Sequence, residues 1–291
     1  MFNVLIYGCR KTGSTLTQRL LELDGYTFFP VETKLKSFKK FLKNKNNIDL
    51  DQLRNHFPIK YISEFKINES EYNQFLIDHY KKIQNVNDFI NLHVGALEKS
   101  RNKFNKNFII KEISGDTKVL LDEYLKNINS PKIIFINRNP KFITKAVFTD
   151  RKRRKIKISL KKKILETIEP QIILSLIGNY KQNENVYILN YEELISNTEA
   201  EIKKICNFLN IEYLKKYSIP TLNGTETIVD TSSKKEFKVF DSKKSLIKGI
   251  SFVEYTLIKF SKIFYYIYML FYKLKILNIF IKNKEFIKTL D

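Results

Sequence analysis

The chain has 291 residues, of which 43% are hydrophobic and 13% aromatic, so it can bury a full core, and this composition argues against wholesale disorder. The formal net charge of +21 favours an anionic partner: nucleic acid, an anionic membrane or a small anionic substrate. The 2 cysteines, Cys9 and Cys206, exclude a disulfide framework or a zinc cluster and indicate a reducing compartment. We see no basic-then-apolar leader before the first predicted strand, so we expect no signal peptide and a cytoplasmic location.

The first twenty residues predict a strand, a glycine-bounded loop and a helix. The strand is the apolar run Phe2–Tyr7, and the loop lies between Gly8 and Gly13. This order of elements directs backbone N–H groups and a helix N-terminus at a phosphate. The spacing is that of a P-loop, except that Ser14 stands where the P-loop lysine should be, and a basic pair that includes Lys11 lies inside the loop instead. The pattern therefore predicts an anion site without the lysine of nucleoside-triphosphate enzymes.

Strands and helices alternate along the rest of the chain to about residue 210, which predicts an α/β fold with a central parallel sheet covered by helices on both faces. Residues 33–105 are rich in Lys and Asn, with helical apolar spacing in pieces, and predict a helical insertion over the site. We expect the main domain, which carries the site, to span residues 1–240. The further strands are predicted at 26–30, 108–110, 131–136 and 185–189, and helices at 118–128, 166–181 and 199–209.

The segment 246–291 predicts a basic, amphipathic C-terminal helical tail. Its longest uncharged run, Ile263 to Tyr272, is too short to span a bilayer, which takes about 20 residues. Residues 250–288 suit either a helix in a membrane interface or a helix packed on the domain, and the pattern leaves both open. The lysines that fall on one side of such a helix are Lys259, Lys262, Lys273 and Lys284.

Four short motifs follow one another along residues 1–235. They are Arg10-Lys-Thr-Gly-Ser-Thr15, Ile136-Asn-Arg-Asn-Pro140, Asn190-Tyr-Glu-Glu-Leu194 with Ile205-Cys-Asn-Phe-Leu209, and Pro220-Thr-Leu-Asn-Gly224 with Ser232-Ser233. They resemble, in the same order, the 5′-phosphosulfate loop, the 3′-phosphate motif, the Y-E-(D/E)-L segment and the P-T-x-N-G … S-S ending of the sulfotransferases. The resemblance implies a P-loop-like fold, 3′-phosphoadenosine 5′-phosphosulfate (PAPS) as the sulfuryl donor, and no metal.

The resemblance also implies which residues bind the donor. Lys11 would lie at the leaving oxygen of the 5′-phosphate, where charge develops in the transition state; the alternative is a solvated loop lysine. The hydroxyls of Ser14 and Thr15 would bind the same phosphate and could also cap the helix. The whole implied 5′-phosphate loop is Arg10, Lys11, Thr12, Gly13, Ser14 and Thr15.

Arg138 ends the strand at 131–136 and suits bidentate contact with the 3′-phosphate. The family usually has a serine eight residues later, and this chain has Ala146 there. Thr144, Thr149 or Arg151 could replace that serine. We favour Arg151, although a solvated basic face over 151–155 is the alternative. Near the end of the matched region, Ser232 and Ser233 would contact sulfuryl or phosphate oxygens, and Lys234 and Lys235 would close over the nucleotide.

The acceptor hydroxyl needs a general base. The Glu32-Thr33 pair follows the phosphate loop at the separation found in tyrosyl-protein members, so the resemblance implies Glu32 as the base. His93 is the second candidate, and a packed or exposed histidine is its structural alternative. Lys111 follows a strand where related enzymes carry a lysine that neutralises the transferring sulfuryl group; a strand-end lysine paired with Glu112 is the alternative.

The leading hypothesis is therefore a sulfotransferase acting on a hydroxyl of a carbohydrate or glycolipid. The enzymatic alternative is a P-loop kinase, although the lysine slot is filled by Ser14 and no second acidic magnesium ligand is evident. The non-enzymatic alternative is a nucleic-acid-binding protein. The net charge and the basic run 151–163 favour it, but no nucleic-acid fold signature is evident and lysine is spread along the whole chain.

Overall fold

A computed structural model describes residues 2–59, 61–113, 117–227 and 250–273 of the protein. Its centre is a five-stranded sheet in the order β2-β3-β1-β4-β5, in which every neighbouring pair is parallel. A short antiparallel hairpin, β6 and β7, lies apart from it. The strands are β1 (Asn3–Tyr7), β2 (Tyr26–Glu32), β3 (Asn107–Glu112), β4 (Pro131–Asn137), β5 (Val186–Asn190), β6 (Thr221–Leu222) and β7 (Thr225–Glu226).

Helices cover both faces of the sheet. They are α1 (Ser14–Leu20), α2 (Phe38–Asn44), α3 (Leu50–His56), α4 (Glu69–His79), α5 (Val86–Arg101), α6 (Thr117–Asn127), α7 (Pro140–Arg153), α8 (Leu160–Tyr180), α9 (Tyr191–Ser196), α10 (Thr198–Phe208), α11 (Phe252–Lys259) and α12 (Ser261–Lys273). The predicted three-layer α/β fold is thereby confirmed.

The central strands β1 and β4 are apolar on both sides because each side contacts a layer of helices. Side chains alternate along a strand, so Leu5 and Tyr7 point into one layer while Val4 and Ile6 point into the other. The first layer contains residues of α5, α6 and α8, and the second contains residues of α1, α9 and α10. Because all neighbouring strands are parallel, their carboxyl ends lie at one edge of the sheet.

The predicted insertion over residues 33–105 contains α2 to α5. Its core is a group of aromatic rings in which Phe41, Phe57, Phe89 and His93 contact one another. The insertion is anchored to the sheet by β3, because Glu112 accepts a hydrogen bond from the Leu35 N–H at 2.7 Å. The insertion is therefore connected directly to the strand end that carries Lys111.

Two predicted helices differ from the observed ones. Helix α8 begins at Leu160, not near residue 166, because the Ser159 side chain accepts from the Lys162 N–H and starts the helix inside the lysine run. The tail is two helices that break at Phe260, instead of one continuous helix. Leu257 and Tyr268 pack the tail on α7 and α8. Within the described ranges, no helix combines the length and apolar character that a membrane-spanning segment needs.

Candidate active site

The candidate site lies at the carboxyl edge of the sheet, where parallel strands of open α/β folds place their ligands. The loop that follows β1 contains Lys11. The ends of β2, β3 and β4 bring Glu32, Lys111 and Arg138 to the same edge, and α9 begins there with Tyr191. The sheet order therefore gathers residues that are far apart in the sequence.

The loop between β1 and α1 has the geometry of an anion cradle. Gly13 is the N-cap of α1 with φ +103°, and Lys11 also has a positive φ of 65°. The loop is closed internally, because Thr12 Oγ1 donates to the Cys9 carbonyl at 2.8 Å. In the described part of the chain, no side chain caps α1, so Ser14 and Thr15 do not have the capping role that the sequence allowed. The first N–H groups of α1 thus suit an anionic ligand.

Arg138 connects the end of β4 to this loop. Its Nη1 donates to the Lys11 carbonyl at 2.5 Å, and its guanidinium lies 4.4 Å from the centre of the Tyr191 ring. The Nε atom is buried and has no hydrogen-bond partner among the residues that the structure describes. A buried donor on a charged group is costly unless it is paired, so this atom suits an anionic oxygen.

Tyr191 fixes the loop from the opposite side. A Cβ atom on Gly13 would lie 2.0 Å from Tyr191 Cε2, a distance that no real contact allows, so the ring and the loop fit only with glycine there. Burial raises the pKa of Tyr191, which keeps the hydroxyl neutral. The Glu192 carboxylate accepts from the Asn139 N–H at 3.2 Å and fixes the residue after Arg138. The Y-E-E-L motif thus supports the arginine.

Lys11 forms an ion pair with a residue that sequence reasoning missed. Its Nζ lies 3.3 Å from Asp150 Oδ1, and the Asp150 side chain is only 8% exposed. Burial lowers the pKa of Lys11, and the Asp150 carboxylate opposes that shift. The same carboxylate also pairs with Arg153 and Arg154. The one available signal was helical spacing, because Asp150 lies one turn beyond Ala146, the position of the family's serine.

Lys111 lies beside the start of α1. Its side chain is buried, and Nζ donates to Thr15 Oγ1 at 3.4 Å. The Lys111 ammonium and the N-terminal end of α1 are both positively polarised, so an anion bound beside them would stabilise this arrangement. Glu32 is the register partner of Lys111 across β2 and β3, and the Thr33 N–H donates to the Lys111 carbonyl at 3.0 Å. The candidate base and the second lysine therefore belong to adjacent strand ends.

Three other predicted site residues lie in different surroundings. Arg151 forms a two-pronged ion pair with the buried carboxylate of Glu166 on α8, through Nε to Oε2 at 2.8 Å and through Nη2 to Oε1. Thr144 is fully buried in α7. His93 packs against the rings of Phe29 and Phe57, and burial lowers its pKa to about 3, so it is a packed core histidine.

The P-T-x-N-G motif forms the turn between β6 and β7. Asn223 and Gly224 both have positive φ values, 53° and 73°, as a two-residue hairpin turn requires. Thr221 Oγ1 donates to Glu22 at 2.8 Å, and Arg101 donates to Asn223 at 2.8 Å. This motif therefore ties the residues after α1 to the helical insertion. Ser232, Ser233 and Lys235 lie outside the described residues.

A model of the sulfotransferase family matches residues 3–215 of the chain. This chain belongs to the sulfotransferase family. Among solved structures, the sulfotransferase domain of the curacin biosynthetic pathway is 14% identical with a TM-score of 0.59, and the match covers 91% of this chain and 98% of that one. The sulfotransferase domain of the Synechococcus PCC 7002 olefin synthase is also 14% identical, with a TM-score of 0.53 and coverage of 90% and 87%. At this identity the likeness shows the fold alone. No curated protein sequence matches the chain significantly.

Membership confirms that this sulfotransferase is an enzyme of the predicted class, and it decides against the kinase and nucleic-acid-binding alternatives. The sulfuryl donor of the family is PAPS. In the described part of the sulfotransferase, no three His, Cys, Asp or Glu side chains come together as metal ligands would. The acceptor and the roles of individual residues are separate questions, which the arrangement of the site addresses.

Proposed function

We propose that the enzyme transfers the sulfuryl group of PAPS to a hydroxyl of a carbohydrate or glycolipid. One observation supports the donor site above all: three cationic residues meet at the loop that precedes α1. Arg138 bonds to the loop carbonyl of Lys11, Lys111 bonds to Thr15, and Lys11 is itself part of the loop. Such a cluster beside a helix end that no described side chain caps favours a multiply charged anion.

The donor would be bound at both of its phosphates. The loop N–H groups and the Thr12, Ser14 and Thr15 hydroxyls would bind the 5′-phosphate, together with Arg10 and the backbone of Gly13. Arg138 would bind the 3′-phosphate, and its buried Nε, which has no hydrogen-bond partner among the described residues, fits that role. Lys11 would stabilise the negative charge that develops on the leaving 5′-phosphate oxygen, and that stabilisation acts mainly in the transition state.

Arg151 stays a candidate for the second 3′-phosphate contact. Its guanidinium is engaged by Glu166, so it could contribute only by sharing or exchanging that partner. Ser232, Ser233 and Lys235 stay predictions for the sulfuryl side of the donor. The boundary of the catalytic domain near residue 240 and the cytoplasmic location stay predictions as well.

On the acceptor side, Glu32 would accept the proton of the attacking hydroxyl as general base. Its register pairing with Lys111 puts a base and a cation on adjacent strand ends, which is the pair that an in-line displacement needs near the transferring group. The packing of His93 in an aromatic core further favours Glu32. A carbohydrate acceptor is supported by the resemblance of the Glu32-Thr33 pair and the hairpin motif to glycan-type and bacterial members.

The test measures transfer of labelled sulfate from PAPS to soluble glycans and glycolipids, with binding of adenosine 3′,5′-bisphosphate, the spent donor, measured by calorimetry. Lys11→Ala should lower the rate, and Arg138→Ala should weaken binding. Lys126→Ala, at an exposed lysine on α6, is the matched control. Absence of transfer to any hydroxyl acceptor, together with unchanged nucleotide binding in Arg138→Ala, would refute the proposal.

A further inference from the structure

The tail helix α12 is apolar on two opposite sides. Phe264 and Tyr268 pack on α8 against Ile168 and Ile172, which accounts for one side. The other side is exposed and consists of four residues at helical spacing, which we call the outer stripe. The outer stripe is Ile263, Tyr266, Ile267 and Leu270.

Exposed apolar side chains also occur outside the outer stripe. Phe252 at the start of α11 is 84% exposed, and Phe260 between the two helices and Phe271 within α12 are exposed as well. Exposed apolar residues scattered singly are ordinary, but a row of aromatic and aliphatic side chains along consecutive helices marks a binding surface.

A basic segment, residues 152–162, adjoins these helices. Lys163 at its end pairs with Glu254 of α11 at 2.7 Å, which joins the segment to the tail. The segment mixes exposed lysines with two exposed apolar side chains, Ile156 and Leu160. Its exposed lysines include Lys155, Lys157 and Lys162.

We propose that the outer stripe and the basic segment together dock the enzyme on the surface of an anionic lipid bilayer. Aromatic and aliphatic side chains would enter the interfacial layer while lysines contact the headgroups. A symmetric dimer through the stripe is disfavoured, because it would bring the exposed Lys259 and Lys262 of one copy towards those of the other in a chain of net charge +21. The charge instead complements an anionic surface.

Cosedimentation of the full chain with vesicles tests this proposal. We expect binding to an equimolar mixture of phosphatidylcholine and phosphatidylglycerol, little binding to phosphatidylcholine alone, and loss of binding at about 1 M salt, where the Debye length is about 3 Å. Ile267→Glu should weaken binding about tenfold or more. The matched control is Ile77→Glu on α4, since Ile77 is 43% exposed and Ile267 is 44% exposed.

A second pair of variants tests the basic segment independently. Lys157→Gln with Lys162→Gln should weaken binding about fivefold for each lysine, whereas Lys43→Gln with Lys126→Gln should not. Sulfuryl transfer to a soluble acceptor should be unchanged in all of these variants. The proposal is overturned if the wild-type protein ignores anionic vesicles, if it binds neutral ones equally, or if the Ile267 variant binds as the wild type does. It is equally overturned if Ile267→Glu only converts a dimer into a monomer in light scattering.

Discussion

Replacing Gly13 with alanine should damage the donor site, because the added methyl group would overlap the Tyr191 ring. The new Cβ would lie 2.0 Å from Cε2 and 2.3 Å from Cδ2 of Tyr191, and φ at this position is +103°. The backbone conformation alone costs an L-residue about 1–3 kcal/mol. Displacing a packed ring adds about 1–3 kcal/mol, so we expect a loss of about 2–6 kcal/mol in the free energy of unfolding.

Urea unfolding and calorimetric binding of adenosine 3′,5′-bisphosphate measure the two effects separately. Gly178→Ala is the matched control, because Gly178 lies inside α8 and no heavy atom of the described residues would lie within 4 Å of a new Cβ. That control should gain up to about 1 kcal/mol, since alanine is the better helix former.

A double variant separates the ring contact from the backbone term. Tyr191→Ala removes the ring, so Gly13→Ala in that background should cost only the backbone term of about 1–3 kcal/mol. If Gly13→Ala unfolds at the wild-type urea concentration and binds the nucleotide normally, the contact between the loop and the Tyr191 ring does not have the geometry described.

Three further outcomes follow from the site. Glu32→Gln should lower the single-turnover rate about 10²- to 10⁴-fold while nucleotide affinity stays the same; an unchanged rate would exclude Glu32 as the base. Asp150→Asn should tighten nucleotide binding about fivefold, because the phosphate would no longer compete with the Asp150 carboxylate for Lys11 in a partly exposed ion pair. Weaker binding would instead show that Asp150 orients the lysine. His93 has its pKa lowered from 6.5 to about 3 in the folded state, so the unfolded chain binds the proton first and stability falls as pH drops below about 6.5. Urea unfolding at pH 7.5 and 5 should show the wild type losing about 2 kcal/mol more than His93→Phe, and an equal loss would contradict the burial.

The fold could be predicted where local patterns carry enough information. The strands β1 and β4 were predictable because each is a short apolar run with glycine, proline or asparagine at its ends, a pattern that is typical of a buried strand. The start of α8 was not, because three lysines in its first turn obscure the apolar period, and the Ser159 cap is a single-residue signal. The break at Phe260 was missed for a related reason, since both tail helices are rich in the same apolar residues.

The residues of the candidate site also divide into those that local sequence patterns predict and those that they do not. The loop residues and Arg138 could be found because each belongs to a contiguous motif at the end of a predicted strand. Asp150 and Glu166 could not, because their roles come from side-chain contacts that α7 makes with the phosphate loop and with α8. Tyr191 lay within a motif, yet its contact with Gly13 depends on how β5 packs beside β4, which no local pattern specifies.

The hydrogen bond from Arg138 to the Lys11 carbonyl joins two motifs that lie 127 positions apart in the chain. The residues proposed for the two ends of the donor are therefore one connected unit, so occupancy at either end changes the conformational freedom of the other. We expect each phosphate to raise the affinity for its counterpart, and by linkage the two factors are equal. A nucleotide that lacks the 3′-phosphate would therefore lose affinity at the 5′-phosphate loop in addition to the affinity of the missing 3′-phosphate contact.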